Sequence, residues 1–206
     1  MSEVAIVCGL GNPGPRYRSN RHNLGFMALD TLSERHSLSW RRAAGPAEVA
    51  LWRVAGRAVT LVKPLAWMNE SGAALAKHGG AAKDDLLVVC DDLNLPLGSL
   101  RLRPRGGSGG HKGLDSLIEH LGTADFPRLR LGIGSALPGV AWEEFVLSDF
   151  LPEEREAVNA MIETAADAIE TAVRQSLDAA MRRFNAAGGA ADQGEGQAPG
   201  RGAGSP

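Results

Sequence analysis

The chain has 206 residues, 44% of them hydrophobic, which suits one globular domain with a sizeable core. No apolar run approaches the roughly 18 residues a membrane span needs, and the opening Met-Ser-Glu-Val carries an acid where a signal peptide carries positive charge, so a cytoplasmic protein is expected and a membrane protein is excluded. The net charge of -2 conceals an asymmetry: residues 1–130 hold 17 Lys and Arg against 12 Asp and Glu, and the remainder 5 against 12.

The first strand-like run covers residues 4–8 and leads into Gly-Leu-Gly-Asn-Pro-Gly, residues 9–14. This fits the dinucleotide-binding pattern, in which glycines turn a strand into a helix whose first amides face a pyrophosphate. Pro13 and Pro15 push the chain toward extended or turn geometry instead, and helical periodicity begins only near Asn23. Asp30, at about the ribose-binding distance, lies inside that helix and not at the end of a second strand. The stretch therefore reads as a rigid polar loop that presents Asn12, Tyr17 and His22, with Arg16, Arg18 and Arg21 crowded into it.

A helix over 23–36 is followed by strand-like runs over 48–54 and 59–62, separated by Ala55-Gly56-Arg57, which reads as a hairpin. Further strands are expected over 86–90, 99–103 and 129–133, with helices over 69–78 and 112–121. A long helical pattern begins at Pro152 and continues through Phe184 as one helix or two abutting ones. The alternation predicts an α/β fold, a single-domain mixed β-sheet flanked by helices on both faces, over residues 1–185. From Ala186 the composition turns to Gly, Ala, Gln and Pro, which predicts a disordered tail over 186–206.

Several motifs carry competing readings. Gly-Gly-Ser-Gly-Gly, residues 106–110, matches a nucleophile elbow, but the later histidines His111 and His120 lie in or beside the next helix and cannot form a separated triad. A glycine loop that allows close backbone approach to a ligand is the better reading. The five histidines include no pair at the spacing of a helical zinc site, and Cys8 and Cys90 each end an apolar run as buried thiols do, so no metal is expected. Arg101, Arg103, Arg105 and Lys112 form a basic cluster that suits either a phosphate-bearing partner or a solvated edge. Met68 and Asn69 read by themselves as a core methionine and a capping residue, and Asp91 as a turn or helix cap. However, Asn12, Asn69, Asp91 and the glycine loop with His111 all fall just beyond expected strand ends, which meet in one cleft in α/β folds. With His22 they make a set for general-base attack of water on a carbonyl: a base, an acid that orients it, and neutral donors for the oxyanion.

Five ordered blocks, "GLGNPGPRYRSNRHNLG", "KPLAWMNESG", "CDDLNLPLGSLRLR", "GGSGGHKGL" and "FPRLRLGIG", resemble the bacterial-type peptidyl-tRNA hydrolases over about residues 4–185. The resemblance implies hydrolysis of the ester between a peptide and the terminal ribose of tRNA, by a monomer with no metal or organic cofactor. It implies His22 as general base, Asp91 as its carboxylate partner, and Asn12 and Asn69 as groups that hold the substrate and polarise the carbonyl or the attacking water. Tyr17, Met68, His111 and Lys112 would contact substrate, and Arg103 and Arg130 the tRNA 5' phosphate. Lys112 departs from the family, which has Asn there; Trp67 and Asn94 replace the usual Phe and Asp. A lysine has no acceptor, so the expectation is that Lys112 retains activity and adds a charged contact to phosphate or carbonyl. A non-catalytic RNA-binding protein on the same fold is the alternative, and Lys112 is the feature that favours it.

Overall fold

The computed structural model describes residues 4–43, 45–76, 85–136 and 139–185. Seven strands form one mixed sheet: β1 (Ile6–Gly9), β2 (Arg41–Arg42), β3 (Ala47–Val54), β4 (Arg57–Pro64), β5 (Leu86–Asp92), β6 (Leu100–Arg103) and β7 (Arg128–Gly132). Their spatial order is β2-β3-β4-β1-β5-β7-β6. Strands β4, β1, β5 and β7 run parallel, and β3 and β6 add antiparallel partners at the two sides. The hairpin is present, with a turn of two residues, Ala55 and Gly56. Both adopt positive φ (51° and 77°), the conformation that matches strand twist in a tight hairpin.

The helices are α1 (Leu24–Arg35), α2 (Ser71–Ala76), α3 (Lys112–Leu121), α4 (Trp142–Val146), α5 (Arg155–Arg174) and α6 (Leu177–Phe184). They cover both faces because the central strands are apolar on both. Val7, Leu87, Val89, Leu129 and Leu131 pack with Leu29 of α1, Ile169 of α5 and Phe184 of α6. The alternate residues Cys8, Val88 and Cys90 pack with Leu75 of α2 and with Leu114 and Leu117 of α3.

The final helical pattern divides at residues 175–176, where Ser176 caps α6 by accepting the Ala179 N–H (3.1 Å). Residues 152–154 form a 3-10 turn ahead of α5. Two elements are additional to those read from sequence: β2, only two residues long, and α4, only five, both too short to show a period. The helix expected over 69–78 begins as a 3-10 turn (Met68–Glu70) and runs as α2 to Ala76; its end, like the tail expected over 186–206, lies outside the described residues.

The chain reverses direction between β1 and β5: β1 leads through α1 toward the β3–β4 side, and β5 leads toward the β6–β7 side. Ligands of open α/β sheets bind outside the carboxyl ends of strands at such a point. Gly25 lets α1 start there. A Cβ on it would stand 2.4 Å from Leu10 N and 2.4 Å from Val89 O, backbone atoms of the two central strand ends. Gly25→Ala is therefore expected to cost at least about 3 kcal/mol, lowering Tm by on the order of 10 °C in a thermal melt.

Candidate active site

His22 lies in a 3-10 turn (Arg21–Asn23) immediately before α1 and is only 6% exposed. Its neighbour fixes that turn. The Arg21 guanidinium is buried between the rings of Phe145 and Phe150 (4.4 and 4.7 Å to the centroids), donates to Glu154 (2.5 Å), and has its backbone N–H on Ser148 O (3.0 Å). Asp91 is the penultimate residue of β5 and is also buried. His22 Nδ1 is 2.9 Å from each Asp91 carboxylate oxygen. Because side chains alternate along a strand, Asp92 projects away from Asp91 and pairs with Arg130 Nε.

Asp91 has a second imidazole beside it, with His111 Nε2 3.1 Å from Oδ1. His111 is the N-cap of α3: its Nδ1 accepts the N–H groups of Gly113 (3.1 Å) and Leu114 (3.3 Å). Burial alone would push the Asp91 carboxyl up, but the two imidazoles outweigh it and hold the group well below the usual carboxylate range. An ionised Asp91 only accepts, so His22 Nδ1 carries a proton, which in the neutral ring leaves the lone pair on Nε2. His22 Nε2 has no bond to any described residue, and His22 lines two adjoining cavities of about 410 and 210 Å³.

His22, Asp91 and His111 offer ligand atoms within 4.8 Å of one another, which is metal-binding geometry. The capping bonds oppose it: Nδ1 of His111 is an acceptor, so Nε2 holds the proton and has no lone pair to give unless the cap is broken.

The smaller cavity gathers Asn12, Met68, Asn69 and Lys112, with Trp67 and Trp142 among its walls. Asn23 clamps the Asn12 backbone from both sides, accepting its N–H (2.9 Å) and donating to its carbonyl (3.0 Å). Asn12 Oδ1 accepts the Met68 N–H (2.9 Å), which leaves the Nδ2 donor of this cavity-lining side chain without a partner among the described residues. Asn69 is exposed at the mouth of the cavity. Lys112 makes no ion pair with a described residue and sets its ammonium 5.4 Å from the Trp142 ring centroid. Tyr17 stands edge-on to Trp67 (6.0 Å between centroids), one ring away from the lining. The larger cavity has the glycine loop, Asp92 and Arg130 on its wall.

The family model for peptidyl-tRNA hydrolase matches residues 6–193. The chain belongs to the peptidyl-tRNA hydrolase family. Peptidyl-tRNA hydrolases of Chloroflexus aggregans and Desulforudis audaxviator are 45% and 46% identical, over 87% and 88% of this chain and 98% and 93% of their own lengths. The crystal structure of peptidyl-tRNA hydrolase from Acinetobacter baumannii superposes with a TM-score of 0.83 at 29% identity, covering 90% of this chain and 96% of that one. The α/β class and mixed sheet read from the sequence are those of this family's structures.

The fold of a peptidyl-tRNA hydrolase also accounts for the arginines. Cross-strand partners Arg101–Arg130 and Arg103–Arg128 share one face of the β6–β7 pair, while Leu100, Leu102, Leu129 and Leu131 share the other. Sequence reasoning passed over three residues that shape the site. Asn23 holds Asn12; Trp142 of α4 walls both cavities; buried Arg128 bonds the carbonyl of Gly107 in the glycine loop (2.9 Å). The alternating Arg-Leu-Arg-Leu of β7 was the available signal for Arg128.

The depressed Asp91 carboxyl predicts a pH signature. A group whose folded value lies below its unfolded one, near 3.9, stabilises the fold above that value and loses its contribution as pH falls toward the folded one. In urea titrations the gap in unfolding free energy between the parent and Asp91→Asn should be at its full width above about pH 5 and should close progressively as pH falls below about 4 toward the folded value.

Proposed function

We propose that the chain cleaves peptidyl-tRNA, the substrate named for its relatives, by His22-assisted attack of water on the ester between the peptide and the tRNA 3' ribose. The observation that carries this reading is the buried His22–Asp91 pair with Nε2 open to the cavities. In the proposed reaction Nε2 takes a proton from water as its oxygen attacks the carbonyl carbon. Asp91 holds the ring in the competent tautomer and balances the charge that forms on it. The Nδ2 of Asn12 and the amide of Asn69 donate to the carbonyl oxygen as it becomes an oxyanion. The proton on Nε2 then passes to the departing ribose oxygen, freeing the peptide acid and the tRNA, so that tRNA from aborted translation returns to use. Met68 and Tyr17 bound the region where the peptide and terminal nucleotide lie. Arg130 and Arg103 take the tRNA 5' phosphate, and no metal or cofactor enters. The working unit is a monomer of the cytoplasm, formed by residues 1–185 with 186–206 as a tail.

Lys112 lines this cavity together with Glu143 and forms no ion pair with a described residue. It adds a charged contact to the substrate's phosphate or carbonyl where the family has an amide.

Release of N-acetylaminoacyl groups from tRNA, assayed with a chelator present, tests the reading. His22→Ala should lose about 10² to 10⁴ in rate. Absence of turnover by the parent, with tRNA still bound at low salt, would replace hydrolysis by RNA binding. Lys112→Asn should change kcat/KM by less than about tenfold, roughly 1.4 kcal/mol; a larger gain would make the lysine a handicap. Arg130→Ala should weaken tRNA binding and flatten its dependence on salt by about one counterion.

A further inference from the structure

The His111 ring bridges the first turn of α3 and the Asp91 carboxylate. We propose that His111 is a positioning residue, which fixes Asp91 against His22 and takes up part of its negative charge, so that it sets the pH range over which His22 can act as base. The inference rests on the hydrolytic reading above.

Two backbone N–H groups, of Gly113 and Leu114, point at Nδ1. A proton there would set N–H against N–H at the positive end of the α3 dipole, so the ring carries its proton on Nε2. That proton is donated to Asp91 Oδ1 (3.1 Å), while Asp91 also accepts from His22 Nδ1. The carboxylate is thus shared. Charge it gives to His111 is charge it does not lend to an imidazolium at His22, whose ring centroid is 4.7 Å from that of His111. The other charged groups on the two cavities are Asp92 and Arg130, which neutralise each other, Lys112, whose ammonium is over Trp142, and Glu143, which lines the smaller cavity with His22. None of these has a bond to Asp91 or to either imidazole.

A single substitution separates the cap from the donor. Asn is among the best N-caps, so His111→Asn keeps α3 capped, but it is too short to reach Asp91 while it does so. The Tm should stay close to the parent value. The acid limb of the kcat/KM profile should move to higher pH by about half to one unit, a three- to tenfold loss at the acid end relative to the plateau. The sign follows from Asp91: with one donor gone it holds a proton on His22 more firmly, and His22 is then a base only at higher pH. A limb that does not move, whether or not the plateau falls, would overturn the proposal and leave His111 as a cap or a substrate contact. Nitrogen-15 NMR of the imidazoles needs neither a variant nor turnover, so it separates this proposal from the hydrolytic reading. His111 in the parent should show the Nε2–H tautomer while His22 titrates, and an Nδ1–H tautomer would end the argument. If the parent shows the Nε2–H tautomer but no turnover, the NMR titration of His22 in His111→Asn decides alone: a midpoint moved upward supports the positioning role, and an unmoved one refutes it.

Discussion

A carboxylate buried at the carboxyl end of the central strand is the constraint around which the site is organised. Asp91 is 4% exposed, and an ionised group at that depth is tolerated only when donors surround it. It obtains them from two helices on opposite faces of the sheet: His22 ahead of α1 and His111 at the start of α3. The sheet thus brings its two helical layers to one point, and the electrostatic need of one side chain fixes the orientation of both rings. A hydrophobic residue at 91 would fill the same space, but it would leave both imidazoles without an acceptor and the tautomer of His22 undetermined.

The backbone beneath that point follows the same logic. Gly25 lets α1 approach the ends of β1 and β5, and Asn23 clamps Asn12 with two hydrogen bonds just beyond β1. Asn12 in turn holds the Met68 N–H. The amide donor, the base and its acid are therefore tied into one bonded frame, with Arg21 bracing it from the side of α4. Preorganised donors of this kind need no rearrangement as charge develops, which is where their advantage over water lies.

The sheet, its hairpin and helices α1, α3, α5 and α6 were legible because they are long enough to show a period of 2 or 3.6 residues. The placing of Asn12, Asn69, Asp91 and His111 near one cleft was legible from their position at or beyond the carboxyl ends of strands, although β5 itself runs on through Asp91 to Asp92. What Asp91 and His111 do to each other was not. They are twenty residues apart in the chain, and their meeting depends on how α3 returns across β5. His111 read as a residue of the glycine loop because histidine is outside the usual set of N-caps, yet its Nδ1 performs that task. Similarly, the net basic count of the front part revealed nothing of how its arginines divide. Arg21 and Arg128 are buried, while Arg130 lines a cavity.

That division among arginines bears on how a glycine loop can form a stable wall. Arg128 and Arg130 project from the same face of β7 two residues apart, yet their surroundings differ. Arg128 stacks on Phe126 and donates to the carbonyls of Gly107, Ala124 and Phe126. Burial lowers its pKa from the usual value, but a guanidinium starts so high that it remains charged. Glycines lose more freedom on ordering than other residues, and residues 106–110 have few side chains with which to hold themselves. A charge-assisted bond from the sheet to Gly107 supplies the hold from below, leaving the loop's outer face as bare backbone for a ligand to approach. Arg130 then stands where that face meets Asp92. Without its charge, the acids at the end of β5 would repel a polyanion from the larger cavity; with it, Asp92 is neutralised and the wall keeps only the charge of Asp91, which two imidazoles share.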